Sequence, residues 1–362
     1  MESADTFSAV IQSAFNGLQA TPVRFGVASV GRWSRTSGFR LPGTVCWSGG
    51  VLLLLSLLTH PNAVRAQELD PRTYAANPVG AAFALAAFRY SHGDVVFDPT
   101  LPFSDVTADL YSVSAGFGGT FALFTRTASA ALIVPYAWGT VKGKVAEQLD
   151  SIERSGFADA RLRFAVNLVG GKALRLPEFL QRRPQTIVGA SLTIALPTGQ
   201  YFPDKLINLG ANRWAFKPEV GISQPVGKWT LELYGGCWFF TQNSSFFGGQ
   251  VKQEQPLFSL QSHVGYTFKP RLWVTGNATF YSGGRTVVEG QPASQRQETT
   301  RLGLTASFPV GRINSVKLAW STGATTRLGG DFDTFTLGWQ TTFLGRAKAR
   351  ASELHAPRRF RS

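Results

Sequence analysis

From Phe157 to Phe343 the chain alternates apolar and polar residues with a period of two, and no other feature narrows its fold as much. Over 157–170, Ala158, Ala160, Leu162, Phe164, Val166 and Leu168 share one face, and Asp159, Arg161, Arg163 and Asn167 share the other. Successive side chains of an extended chain point to opposite sides, so this is a strand with one oily and one charged face. The same division recurs at Val188/Ala190/Leu192/Ile194 against Gly189/Ser191/Thr193, and at Leu272/Val274/Gly276/Ala278/Phe280 against Thr275/Asn277/Thr279. A helical period would scatter these residues around an axis. Composition agrees: 38 glycines, 12% aromatic residues and only 16% charged residues suit many strands and turns.

About twelve such segments can be counted, at roughly 79–91, 105–121, 129–141, 157–170, 185–198, 212–225, 229–242, 256–268, 272–284, 298–309, 315–327 and 332–343. Their connections alternate in length. Val226-Gly-Lys228, Lys269-Pro-Arg271 and 309–314 are tight, whereas 92–104, 142–156, 199–211, 243–255 and 285–297 are long and polar, with 171–184 a longer exception among the tight ones. An even strand number with short turns at one end and long loops at the other is the plan of a bacterial outer-membrane barrel. The longest uninterrupted apolar run, Val51 to Leu58, is far below the roughly 20 residues of a membrane-spanning helix, so any crossing is made by strands. Hydrocarbon cannot satisfy a free strand edge, and the strands must then close into a ring.

Three features choose lipid rather than water as the solvent of the oily faces. Arg32, Arg35 and Arg40 precede the apolar run, and Val64-Arg-Ala66 supplies a cleavage site, the pattern of a secretory signal. Aromatic residues lie near strand ends, at Tyr136, Trp138, Trp214, Phe216, Trp229, Phe239, Phe280 and Tyr281. In the last strand Phe335, Leu337, Trp339, Thr341 and Phe343 share one face, and closure on an aromatic is similar to the signal by which the barrel-assembly machinery takes up its substrates. The expected fold is all-β: a transmembrane antiparallel barrel of about twelve strands, an up-and-down meander in outer-membrane lipid. The expected division is 1–66 N-terminal extension and secretory signal, 67–343 barrel, and 344–362 basic tail.

The formal charge of +14 belongs mostly to the termini: 67–343 hold 25 Lys and Arg against 19 Asp and Glu. These are scattered without a recognition-helix pattern, so nucleic acid is not expected as a partner. Cys46 and Cys237 are the only cysteines, and Cys46 falls in the segment to be removed, so no disulfide framework or cysteine metal site follows.

Asp70-Pro-Arg-Thr-Tyr74 with Asn77-Pro-Val-Gly80, Asp98 to Pro102, Pro135-Tyr-Ala-Trp138, Ser155 to Asp159, Gly189 to Gly199, Tyr201 to Lys205 and Asn212 to Glu219 carry a resemblance, joined later by Phe246 to Gly249, Tyr281 to Arg285 and Asp331-Phe-Asp333. Through them 67–343 resembles a bacterial family of outer-membrane β-barrels named for a meta-pathway of phenol degradation, or simply called transporters. The resemblance implies passage of small hydrophobic or aromatic solutes across the outer membrane, with no cofactor. It carries over no residue as a solute ligand.

If the oily faces meet lipid, the polar faces line the lumen. Asp159, Arg161 and Arg163 then lie beside Lys217 and Glu219 two strands along, with Glu232 on the next strand. These charges either form a constriction that selects solutes or pair across the interior and fix strand register. His263 faces inward with Ser259, Gln261 and Thr267. An outer-membrane lipase needs its Ser/His pair on the lipid face, so His263 is read as a luminal hydrogen-bonded histidine. No spacing suggests a metal site, and Gly170-Gly-Lys172 lacks the upstream glycine of a phosphate loop. The expectation is a passive channel without catalytic residues. The alternatives are a structural or adhesive barrel without transport, and a membrane-embedded lipid hydrolase acting through His263.

Overall fold

The computed structural model describes residues 70–96, 103–145, 148–205, 207–292, 296–326 and 329–344. The expected secretory signal and the tail beyond Leu344 lie outside these residues. The chain runs through β1 (Ala81–Val96), β2 (Phe103–Leu123), β3 (Arg126–Val145), β4 (Gln148–Phe157), β5 (Arg161–Val169), α1 (Leu176–Gln181), β6 (Ile187–Ala195), β7 (Ala215–Val226), β8 (Trp229–Phe240), β9 (Asn243–Phe246), β10 (Gln250–Glu254), β11 (Leu257–Lys269), β12 (Leu272–Gly283), β13 (Thr286–Val288), β14 (Gln291–Pro292), β15 (Gln297–Val310), β16 (Asn314–Thr326) and β17 (Gly329–Leu344).

The hydrogen-bonded order is β1-β2-β3-β5-β6-β7-β8-β11-β12-β15-β16-β17, and β17 returns to β1. That last seam runs antiparallel from Ala81 opposite Leu344 to Val96 opposite Gly329, which closes a twelve-strand ring. The twelve alternating stretches of the sequence are the twelve staves.

The two faces are distributed as alternation requires. Phe117 (63% exposed), Val220 (59%), Leu304 (55%) and Phe335 (53%) point outward, while Ser259, Gln261, Thr275, Asn277 and Arg301 are buried inside. An apolar surface around the whole circumference would aggregate in water and is matched only by a bilayer. Aromatic rings mark the interfaces. Tyr90, Tyr111 and Trp138 stack across β1, β2 and β3 with centroids 4.9 and 5.7 Å apart, and at the opposite end Trp229 meets Tyr266 edge-on at 5.0 Å. Tyr281 departs from the expected belt. Its odd position on β12 points inward, where it packs with Trp238, Leu257 and Ala215.

The fourth stave is broken. β4 pairs with the outer half of β3 and β5 with the inner half, and Ala158-Asp159-Ala160 between them leaves the ladder. Most of the loop expected at 142–156 is therefore strand. β6 stops at Ala195, opposite Arg161, so β4 has no strand on its other side. The described residues of the connection 196–214 fill the gap as a strap. Leu196 N–H donates to Ala160 O (2.9 Å) and Gln200 N–H to Phe157 O (2.7 Å), while the Asp159 carboxylate accepts from Gly199 N–H (2.9 Å) and Ala211 N–H (2.8 Å). Outside the membrane, residues 243–254 and 286–292 of the expected loops 243–255 and 285–297 fold on one another as a small sheet of β9, β10, β13 and β14. The strap is fixed to it by the buried Arg213–Glu254 ion pair (2.5 Å).

Candidate functional site

The lumen is occupied on one side by a segment that precedes the first strand. Residues 70–78 enter from the end where the short turns lie, held there by Val79 N–H to Leu174 O and Gly80 N–H to Thr120 O. Tyr74 is 1% exposed, with its ring edge-on to Tyr234 at 5.1 Å. Its hydroxyl lies 2.9 Å from Ser191 Oγ and donates toward Glu219 Oε1 at 3.1 Å. The ring fits because Gly189 and Gly221 face each other on β6 and β7, and a Cβ at either would collide with it. Arg72 anchors the same segment: its backbone N–H donates to Glu232 Oε2 (2.7 Å), its guanidinium donates to Thr267 Oγ1 (2.5 Å), and its charge sits 4.6 Å from the centre of the Trp273 ring.

Around this plug the inner faces of β6, β7, β8, β11 and β12 are packed solid. Glu219 is the hub. Lys217 Nζ is 2.7 Å from one carboxylate oxygen and Gln261 Nε2 3.1 Å from the same one, while Arg163 reaches the other at 3.5 Å. On the next strand Glu232 also accepts from Ser223 Oγ at 2.9 Å. His263 is 1% exposed, with Nδ1 2.8 Å from Asn277 Oδ1 and its ring 5.1 Å from Tyr234. Buried charges need such partners to survive there: Lys217 and Arg163 meet Glu219, and Glu232 accepts from Arg72 N–H and Ser223 Oγ.

The opposite side of the lumen is open. A chamber of about 530 Å3 lies between the plug and the inner faces of β1, β2, β3, β16 and β17. It exists because those strands turn small side chains inward: Ala87, Ser112, Ser114, Ala137, Ala319 and Gly338. Leu85, Ile133, Pro135 and Trp273 give it an apolar portion, and Arg89, Arg161, Arg163 and Lys317 a basic one.

The seven sequence-derived candidates thus fall into three places. Lys217, Glu219, Glu232 and His263 belong to the packed side. Arg161 and Arg163 face the chamber, with Arg163 also touching Glu219. Asp159 is spent on backbone N–H groups at the strap. Sequence reasoning missed Arg72 and Tyr74, which precede the alternating pattern, and Lys317, whose strand was read only for its oily residues. The Gly189–Gly221 pair on inward positions and the run of small inward residues were the available signals.

A family model described as "Putative MetA-pathway of phenol degradation" matches residues 89–337. The chain belongs to this family. Among solved structures, an outer membrane channel from Pseudomonas putida F1, of the group COG4313, matches with TM-score 0.65 and 21% identity, over 76% of this chain and 100% of that one. The transport unit of the autotransporter AIDA-I from Escherichia coli gives TM-score 0.46 at 10% identity, over 80% and 97% of the two chains. The β domain of the Bordetella autotransporter BrkA gives 0.46 at 11%, over 73% and 100%. No curated protein matches the chain. The first structural likeness is one of fold, and with the closed ring and its lipid-facing surface it places this family member in the bacterial outer membrane.

Proposed function

We propose that this barrel is a passive outer-membrane channel for small hydrophobic or aromatic solutes, which pass through the open side of the lumen. The observation that carries the reading is the chamber itself: a cavity of about 530 Å3 is of the size that holds a drug-like molecule, and its wall combines apolar and polar groups. A barrel built only as a surface anchor has no need of small inward residues on one side alone. Membership of a family named for phenol degradation supports the choice of solute. The packed charges on the other side act as scaffold. They hold the plug against the wall and leave the chamber as the route.

A catalytic role finds no support in the site. His263 bonds to an asparagine amide deep in the packed side, while its chain neighbour Ser262 points to the lipid face, so the two side chains lie on opposite sides of β11. Among the described residues no group of three or more His, Cys, Asp or Glu could hold a metal ion.

The test is initial uptake of labelled solutes by cells from which the barrel has been deleted and then restored. Restoring it should raise uptake of phenol and benzoate several-fold and leave glucose and arginine unchanged. Equal rates for all four solutes in both strains would refute the proposal.

A further inference from the structure

The chamber is electrically lopsided. Four cations, Arg89, Arg161, Arg163 and Lys317, line it against two carboxylates, Asp70 and Glu219. Glu219 does little to offset them, because Lys217 holds it at 2.7 Å from behind the wall and Gln261 and Tyr74 donate to it as well. Counted over the lining, cations thus outnumber carboxylates, with Arg163 itself 3.5 Å from Glu219.

Lys317 carries the most specific signal. It sits half-buried on β16 between Ser307 of β15 and Gly338 of β17, two small neighbours that leave its side chain room to reach the chamber. Among the described residues its ammonium has neither an ion pair nor a hydrogen bond, unlike Lys217, which meets Glu219. The charges that act on it are those of Asp70 and, in opposition, Arg72, so this half-buried ammonium is only partly compensated, and an anion in the adjoining cavity would relieve the remaining cost. In the same lining, Leu85, Ile133, Pro135 and Trp273 offer an apolar surface that rejects a fully hydrated ion. The combination fits a small molecule with an apolar ring and one negative group.

We infer that the chamber binds aromatic monoanions, carboxylates above all, in preference to their neutral counterparts, with Lys317 contacting the anionic group and the arginines supplying the surrounding field. This deepens the proposed function: it rests on small aromatic solutes entering the chamber and specifies their charge.

The test is equilibrium binding of benzoate and of the neutral, near-isosteric benzamide to the purified full-length barrel in detergent, followed by ligand-detected NMR. Benzoate should bind at least tenfold more tightly than benzamide, and Lys317→Gln should remove about tenfold of benzoate affinity, the scale of one charge-assisted contact. Lys317→Arg should restore most of it, which separates loss of charge from damage to the fold. Equal binding of the two ligands, no binding of either, or Lys317→Gln binding benzoate like wild type overturns the inference. Cell uptake reads the other claim: benzoate binding without benzoate uptake would contradict passage and support the anion site.

Discussion

At the scale of single residues, the lumen is decided by where large and small side chains fall on inward positions. Tyr74 occupies the notch left by Gly189 and Gly221, and its hydroxyl joins the Glu219 network. Truncating a buried aromatic costs about 3–5 kcal/mol, and here that loss falls on docking of the plug, because every stave of the barrel stays intact. Tyr74→Ala should raise single-channel conductance several-fold and expose residues 70–78 to protease, with the heat-modifiable gel mobility of the folded barrel unchanged. Unaltered conductance would mean the segment does not obstruct the lumen. The charges identified from sequence proved to be three kinds of thing. Alternation tells which side a residue faces, so it found Arg161, Glu219 and His263 on the inner face. It contains nothing about how far away the other wall is, and that distance decides whether a charge meets a counter-charge or a cavity.

At the scale of elements, the strands were legible because a half-lipid, half-aqueous surface forces a period of two on every stave. Eleven of the twelve expected segments lie within a few residues of a continuous strand. The fourth was misread because its break is invisible to hydropathy: Ala158-Asp159-Ala160 keeps the alternation while leaving the ladder. What holds the chain there is the strap. Asp159 takes two backbone N–H groups of the strap that would otherwise lack a partner in a region without a neighbouring strand. Asp159→Ala should speed hydrogen exchange at the Gly199 and Ala211 amides by tenfold or more while leaving the β1–β17 seam protected. Protection equal to wild type at both amides would show that the strap is held by its other contacts. The small outer sheet of β9, β10, β13 and β14 was also beyond the sequence pattern, since its strands are two to five residues long and meet only across two separate loops.

At the scale of the whole molecule, the ring solves the problem set by hydrocarbon, and the lumen then divides in two. One half is filled by the plug and by paired charges, which stiffens the barrel. The other half is kept clear by small residues on β1, β2, β3, β16 and β17. Family membership and outer-membrane fold were within reach of the sequence because they depend on strand count, parity and motif. The asymmetry was not, because it depends on a segment with no periodicity entering from outside the pattern. The division also states where solute can go. Ser112 lines the open half, whereas Ala278 faces lipid on β12. Initial benzoate uptake by cells carrying Ser112→Trp or Ala278→Trp barrels, each confirmed as folded in the outer membrane, tests this most directly. Passage through the open half predicts that Ser112→Trp falls to the rate of the deletion strain while Ala278→Trp matches wild type; wild-type uptake through Ser112→Trp would contradict it.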